Sequence, residues 1–133
     1  MGFSKDYEFG KTNEERVLIK LCKVFDDDIM PTNDPYCNWD FESNSAIYEL
    51  KSRNHNSNTY PDVMIGYNKI QPFNNNKPQY FLFNFTDGLF YIKYDEDVFA
   101  DFELKLFKRE GRNDYVDKPQ VVCHIPIKNL TRI

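Results

Sequence analysis

Apolar residues first recur at helical spacing near the start of the chain. Leu18, Leu21 and Phe25 fall on one stripe, which predicts a helix over about 12–28. At its head, Thr12-Asn13-Glu14-Glu15 fits a capping box, with Thr12 at the cap and Glu15 reaching back. Glu14 lies four residues before Leu18 and seven before Leu21, so it prolongs the apolar stripe with a carboxylate. Turn residues from Pro31 to Pro35 end the helix.

Beyond that point the pattern shortens to a period of two. Runs at about 36–42 and 46–53 flank the polar Ser43-Asn44-Ser45 and predict a hairpin. A turn of two or four residues sets Ser43 opposite Ala46 and Asp40 opposite Glu49. Opposed residues share a face, with Cβ atoms about 4.5–5.5 Å apart. Lys51, two residues past Glu49, joins that face, while Trp39, Phe41, Tyr48 and Leu50 take the other and suit a core. Residues 54–60 read as a polar loop and 63–67 as a short buried strand. Pro72, Pro78 and Asn74-Asn75-Asn76 forbid a long helix over 69–79. The runs 80–86 and 89–94 meet at Asp87-Gly88, a hairpin signal. The run 102–108 alternates as a half-exposed strand would, 110–119 is a polar loop, and 121–127 closes the chain as a strand, with Pro126 placing it at an edge. The sum is one α/β domain over 1–133, an N-terminal helix packed on a sheet of about six strands.

Composition narrows the function. At 41% hydrophobic and 29% charged, the chain is neither disordered nor membrane-spanning. The absence of a signal-peptide core near Met1 points to the cytoplasm, that of a host cell if the source is viral, and not to secretion. Abundant Asn, Lys, Phe and Tyr fit an A+T-rich genome such as that of a virus or phage. A formal charge of −4 disfavours nucleic-acid binding by a broad basic field and leaves room for a local patch. Cys22, Cys37 and Cys123 form no CxxC pair, and His55 and His124 lack a partner at ligand spacing, which argues against zinc. There is no P-loop, GxGxxG or nucleophile elbow, so no organic cofactor is expected.

The chemistry gathers on the first hairpin. Two facing carboxylates repel unless a cation lies between them. Mg²⁺ suits such hard oxygen ligands, and a neighbouring lysine can stabilise charge on a phosphate or orient an attacking water. Asp40, Glu49 and Lys51 therefore suit metal-assisted phosphodiester hydrolysis, with Glu14 able to add a further carboxylate. A solvated ion pair on an exposed strand is the competing reading.

Asn38-Trp39-Asp40 followed by Tyr48-Glu49-Leu50-Lys51-Ser52 resembles the PD-(D/E)XK nuclease superfamily. Gly10-Lys11-Thr12-Asn13-Glu14 resembles the GxxxE helix start of archaeal-type Holliday junction resolvases and related nucleases. The resemblance spans about 10–70, roughly half the chain. It implies a restriction-endonuclease-like core, with the N-terminal helix on a mixed central sheet and extra C-terminal strands. It also implies that Asp40, Glu49 and the Leu50 backbone carbonyl ligate Mg²⁺ or Mn²⁺, that Lys51 is the catalytic lysine, and that Glu14 is an auxiliary acid. The activity implied is a DNA endonuclease acting on duplex or branched DNA as a homodimer. Trp39 stands where the family has proline, and the literal Pro61-Asp62 follows the ExK triplet and reads as a turn. Arg53 shares the face of Lys51, Lys69 and Gln71 occupy a place where the family often adds a polar or basic residue, and Lys105, Lys108, Arg109 and Arg112 form a basic run; all are candidate DNA contacts. The rival readings are a non-cleaving nucleic-acid-binding or adaptor subunit, and a structural or host-interaction protein.

Overall fold

The fold follows from where the strands find partners. The computed structural model describes residues 5–32, 37, 39–70, 77–107 and 119–133, with the backbone alone for 5–13. Helix α1 (Lys5–Phe25) buries Val17 and Leu21, with Leu18, Cys22 and Phe25 half-buried beside them. It begins well before Thr12, so Thr12 lies within the helix and the expected capping box does not form. Glu14 is exposed: the buried part of the stripe starts at Val17, and a carboxylate without a partner stays in water. The helix stops where Asp26 takes a left-handed conformation, φ 48°.

In chain order the strands are β1 (Met30–Pro31), β2 (Phe41–Glu42), β3 (Ile47–Ser52), β4 (Asp62–Gly66), β5 (Gln79–Phe85), β6 (Gly88–Lys93), β7 (Glu103–Phe107), β8 (Gln120–Pro126) and β9 (Thr131–Arg132). Among the described residues they form two sheets, not one. A six-stranded sheet runs β1-β2-β3-β5-β6-β9, and a three-stranded sheet runs β4-β8-β7. Strands β3 and β5 are parallel, so the chain between them must cross over, and it does so through β4 in the other sheet. The remaining ladders are antiparallel. Alternation along a strand reveals which face is apolar but not which sheet the strand joins, which is why one sheet was expected. Pro126 does not mark an edge strand. β8 lies between β4 and β7, with Pro126 at the last pair of its ladder opposite Asp62, where interruption of pairing costs least. β7 is exposed at every position rather than half-exposed.

The six-stranded sheet is apolar on both faces. One face packs Phe41, Tyr48, Leu82 and Leu89 against α1, with the Phe25 ring edge-on to Tyr48, Tyr80 and Tyr91 at 4.9–5.5 Å. The other packs Phe81, Phe83, Phe85, Phe90 and Ile92 against Val63, Ile65, Cys123 and Ile125 of the three-stranded sheet. Burial pushes the Cys123 thiol up to about 11, which leaves it a packing residue. Phe99 enters the same cluster from α2 (Glu96–Ala100), a short helix capped by Asp95, whose carboxylate accepts the Asp97 and Val98 N–H groups. The expected hairpin forms, but its turn is Thr86-Asp87 rather than Asp87-Gly88: Phe85 pairs with Gly88, which opens β6 with a positive φ of 157° that glycine tolerates. Among the described residues no helix is long and apolar enough to cross a membrane.

Candidate active site

The β2–β3 hairpin fixes the first acid. Phe41 pairs with Tyr48 and Glu42 with Ile47. Ser43 N–H donates to the Ala46 carbonyl at 2.9 Å, while the Ser43 hydroxyl accepts the Ser45 and Ala46 N–H groups and closes the turn. The ladder ends at the Phe41–Tyr48 pair, and the expected Asp40–Glu49 pair is not part of it. Asp40 lies just before the start of β2 and bulges there, held by its backbone: its N–H donates to the Tyr48 carbonyl on one side and its carbonyl accepts from the Thr32 N–H on the other, both at 3.0 Å.

Asp40 Oδ2 accepts the Leu50 N–H at 2.8 Å. An extended residue directs its N–H and C=O toward the same neighbour. Residues 47 and 53 donate toward the β5 side, to Pro78 and Asn84, so the even-numbered residues of β3 face the β2 side. Beyond Asp40 that side has no paired strand among the described residues. The Leu50 carbonyl therefore opens onto the edge where the Asp40 carboxylate sits.

Glu49 lies on the same face, only 4% exposed. Lys51 Nζ stands 3.2 Å from its Oε1 and Lys69 Nζ 3.6 Å from the same oxygen. Burial pushes the Glu49 carboxyl above the usual carboxylate range and the charge of Asp40 pushes it further, while Lys51 and Lys69 pull it back. Lys69 comes from a 3₁₀ turn, Tyr67–Lys69, between β4 and β5. Gln79, buried at the start of β5, donates its side-chain N–H to the Lys69 carbonyl at 2.8 Å.

Asp40, Glu49 and Lys51 thus stand together, and Lys69 joins them through Glu49. Glu14 does not. It is exposed on the helix that covers the opposite face, and among the described residues no third His, Cys, Asp or Glu joins Asp40 and Glu49. Arg53 is drawn to the second sheet, where its Nη2 donates to the Met64 carbonyl at 2.7 Å on β4. Lys105 pairs with Glu103 at 3.5 Å on exposed β7. Gln71, Lys108, Arg109 and Arg112 lie outside the described residues. Asp62 engages His124 at 3.1 Å in the other sheet, away from the hairpin acids. Gln79 was missed by sequence reasoning, although a signal existed: it continues the face of Phe81, Phe83 and Phe85 with an amide.

The donor set fits a hard divalent cation. The carboxylates of Asp40 and Glu49 and the Leu50 carbonyl are all oxygen donors. The charge of Asp40 raises the proton affinity of Glu49 and invites a positive charge, which the two ammonium groups now supply.

Residues 28–133 match the model of a family described as "Phage putative PDDEXK endonuclease". The match includes Asp40, Glu49, Lys51, Lys69 and Gln79 and leaves out Glu14. No curated protein and no solved structure matches the chain.

Proposed function

The chain belongs to this phage PDDEXK endonuclease family, and on that premise we propose that it is a divalent-metal-dependent DNA endonuclease built on the β2–β3 hairpin. The observation that carries the reading is the convergence on the edge of β3: the Asp40 carboxylate is tied to the Leu50 N–H at 2.8 Å, beside Glu49, and Lys51 stands at 3.2 Å from Glu49. In this reading α1, the hairpin and the parallel neighbour β5 form a restriction-endonuclease-like core.

Asp40, Glu49 and the Leu50 carbonyl would hold Mg²⁺ or Mn²⁺. When bound, such a cation draws charge from the phosphate and acidifies water at the site. The protein's own groups do the rest. Glu49, buried against Phe81 in register, keeps its carboxylate fixed in a dry wall. Lys51 projects from the same face and places an ammonium where negative charge builds as water adds to phosphorus and the bond to the leaving sugar oxygen breaks. Lys69, 30% exposed at its side chain, is the group that reaches a DNA phosphate, and Arg53 serves the fold. With one such site per chain, cutting both strands of duplex or branched DNA takes two copies, a homodimer.

The test uses labelled linear, nicked and four-way DNA with Mg²⁺ or Mn²⁺, comparing wild type with Lys51→Ala and Glu49→Ala. Metal-dependent cleavage by wild type, lost in both folded variants, is the expected result. DNA binding without cleavage would replace this reading with the adaptor, and neither binding nor cleavage would leave the structural or host-interaction protein.

A further inference from the structure

Three polar or charged side chains are buried among the described residues: Ser43, Glu49 and Gln79. Burying such groups is unfavourable unless each finds a partner. Ser43 closes the β2–β3 turn and Glu49 belongs to the site. Gln79 is left, and the ladder makes no use of its side chain. Its backbone serves the sheet, where the carbonyl accepts the Tyr94 N–H at 2.8 Å. Its amide instead leaves the strand and donates to the Lys69 carbonyl at 2.8 Å.

That bond holds the backbone carbonyl of Lys69 itself. The 3₁₀ turn is closed by Ile70 N–H donating to the Tyr67 carbonyl at 3.0 Å, and Ile70, the neighbour of Lys69, is itself buried in the core. The Lys69 side chain is a flexible four-carbon stem, so its reach depends on its backbone anchor. Gln79 supplies that anchor from a strand locked into the sheet, on the face that carries Glu49. We propose that Gln79 is a positioning residue of the nuclease site, which acts on the reaction by holding Lys69 beside Glu49 and the DNA phosphate. The inference rests on the endonuclease reading above and assigns Gln79 a part in it.

The experiment is a double-mutant cycle on the full chain, read as single-turnover cleavage at saturating DNA and Mg²⁺. Gln79→Met keeps the length of the side chain and removes the N–H donor. Lys69→Met removes the ammonium. Expected rate losses are about 10-fold for Gln79→Met and about 30-fold for Lys69→Met, with the double variant within about twofold of Lys69→Met alone. A residue that only supports the fold would lower the rate by the same factor with or without Lys69. If Gln79→Met fails to fold, Gln79→Asn, which keeps an amide too short to reach, replaces it in the cycle. Losses that multiply, or a Gln79 variant that cleaves like wild type, overturn the proposal and leave the endonuclease intact. Absence of cleavage by wild type overturns the endonuclease reading and this inference with it.

Discussion

Strands β3 and β5 lie side by side, parallel and in register, yet they spend the same face in opposite ways. Glu49 stands beside Phe81 and Lys51 beside Phe83. Both phenylalanines are fully buried under the three-stranded sheet, whereas Glu49 is nearly as buried but ionisable and Lys51 is partly open. One strand over, the same depth in the molecule carries charge instead of hydrocarbon. Apolar residues at 49 and 51 would continue the core, so the fold gives up packing there to hold an acid and an ammonium. Buried charge kept where hydrocarbon would fit is what the proposed site requires.

The largest effects should fall on chemistry from β3 and on stability from β5. Lys51→Ala is expected to lower cleavage about 10³-fold or more while leaving the unfolding midpoint near that of wild type. Phe83→Ala should do the reverse, costing about 3–5 kcal/mol in chemical denaturation through the cavity it leaves. Comparable stability losses from both variants would erase the distinction between the strands.

How much of this was readable in advance depends on the range of the interactions involved. The register of the β2–β3 hairpin was legible because a hairpin is local: Ser43-Asn44-Ser45 sets the turn, and alternation then pairs Phe41 with Tyr48, while the bulge at Asp40 left no local signal. The β5–β6 hairpin was legible for the same reason, with its turn displaced by one residue to Thr86-Asp87. The second sheet was not legible, since β8 finds β4 and β7 across long stretches of chain that no local pattern records. Glu14 shows the limit of periodicity, for a position on the apolar stripe can still lie beyond the part that is covered. Gln79 was missed because its meaning lies in a bond to Lys69, whose backbone arrives by way of β4.

Arg53 sharpens the comparison at the point where β3 leaves its sheet. Sequence order makes it a third charged residue after Glu49 and Lys51, but its guanidinium clamps the Met64 carbonyl on β4 and so ties the two sheets together. Arg53→Met should therefore cost stability, about 1.5–3 kcal/mol for a hydrogen bond from a charged donor. At full folding its DNA affinity in Ca²⁺, measured by anisotropy, should stay near wild type. A large loss of DNA affinity with unchanged stability would return Arg53 to the nucleic-acid surface.

The smallest effect, and the one that separates two carboxylates, is the dependence of metal-free stability on pH. Burial and the charge of Asp40 raise the Glu49 pKa, so the folded chain holds that proton more tightly than the unfolded chain. The stability this group contributes is fully present below the unfolded carboxylate value, about 4.3, and is lost as pH rises through the folded value. Asp87 has the opposite sign. It accepts the Ser57 N–H at 2.8 Å and the Ser57 hydroxyl at 2.6 Å, which lowers its pKa. Its contribution is present above the unfolded aspartate value, about 3.9, and is lost as pH falls through the lower folded value. In EDTA at about pH 7, Glu49→Gln should thus be more stable than wild type and Asp87→Asn less stable; the Glu49 difference closes as the solution is acidified toward about pH 4, and the Asp87 difference closes only below that. Mg²⁺ should shrink the advantage of Glu49→Gln, because a cation bound between Asp40 and Glu49 favours the ionised acid. A Glu49→Gln protein less stable than wild type in EDTA would show that Lys51 and Lys69 more than offset the burial. Glu49 would then be a structural ion pair, and the contrast between β3 and β5 would no longer point to a site.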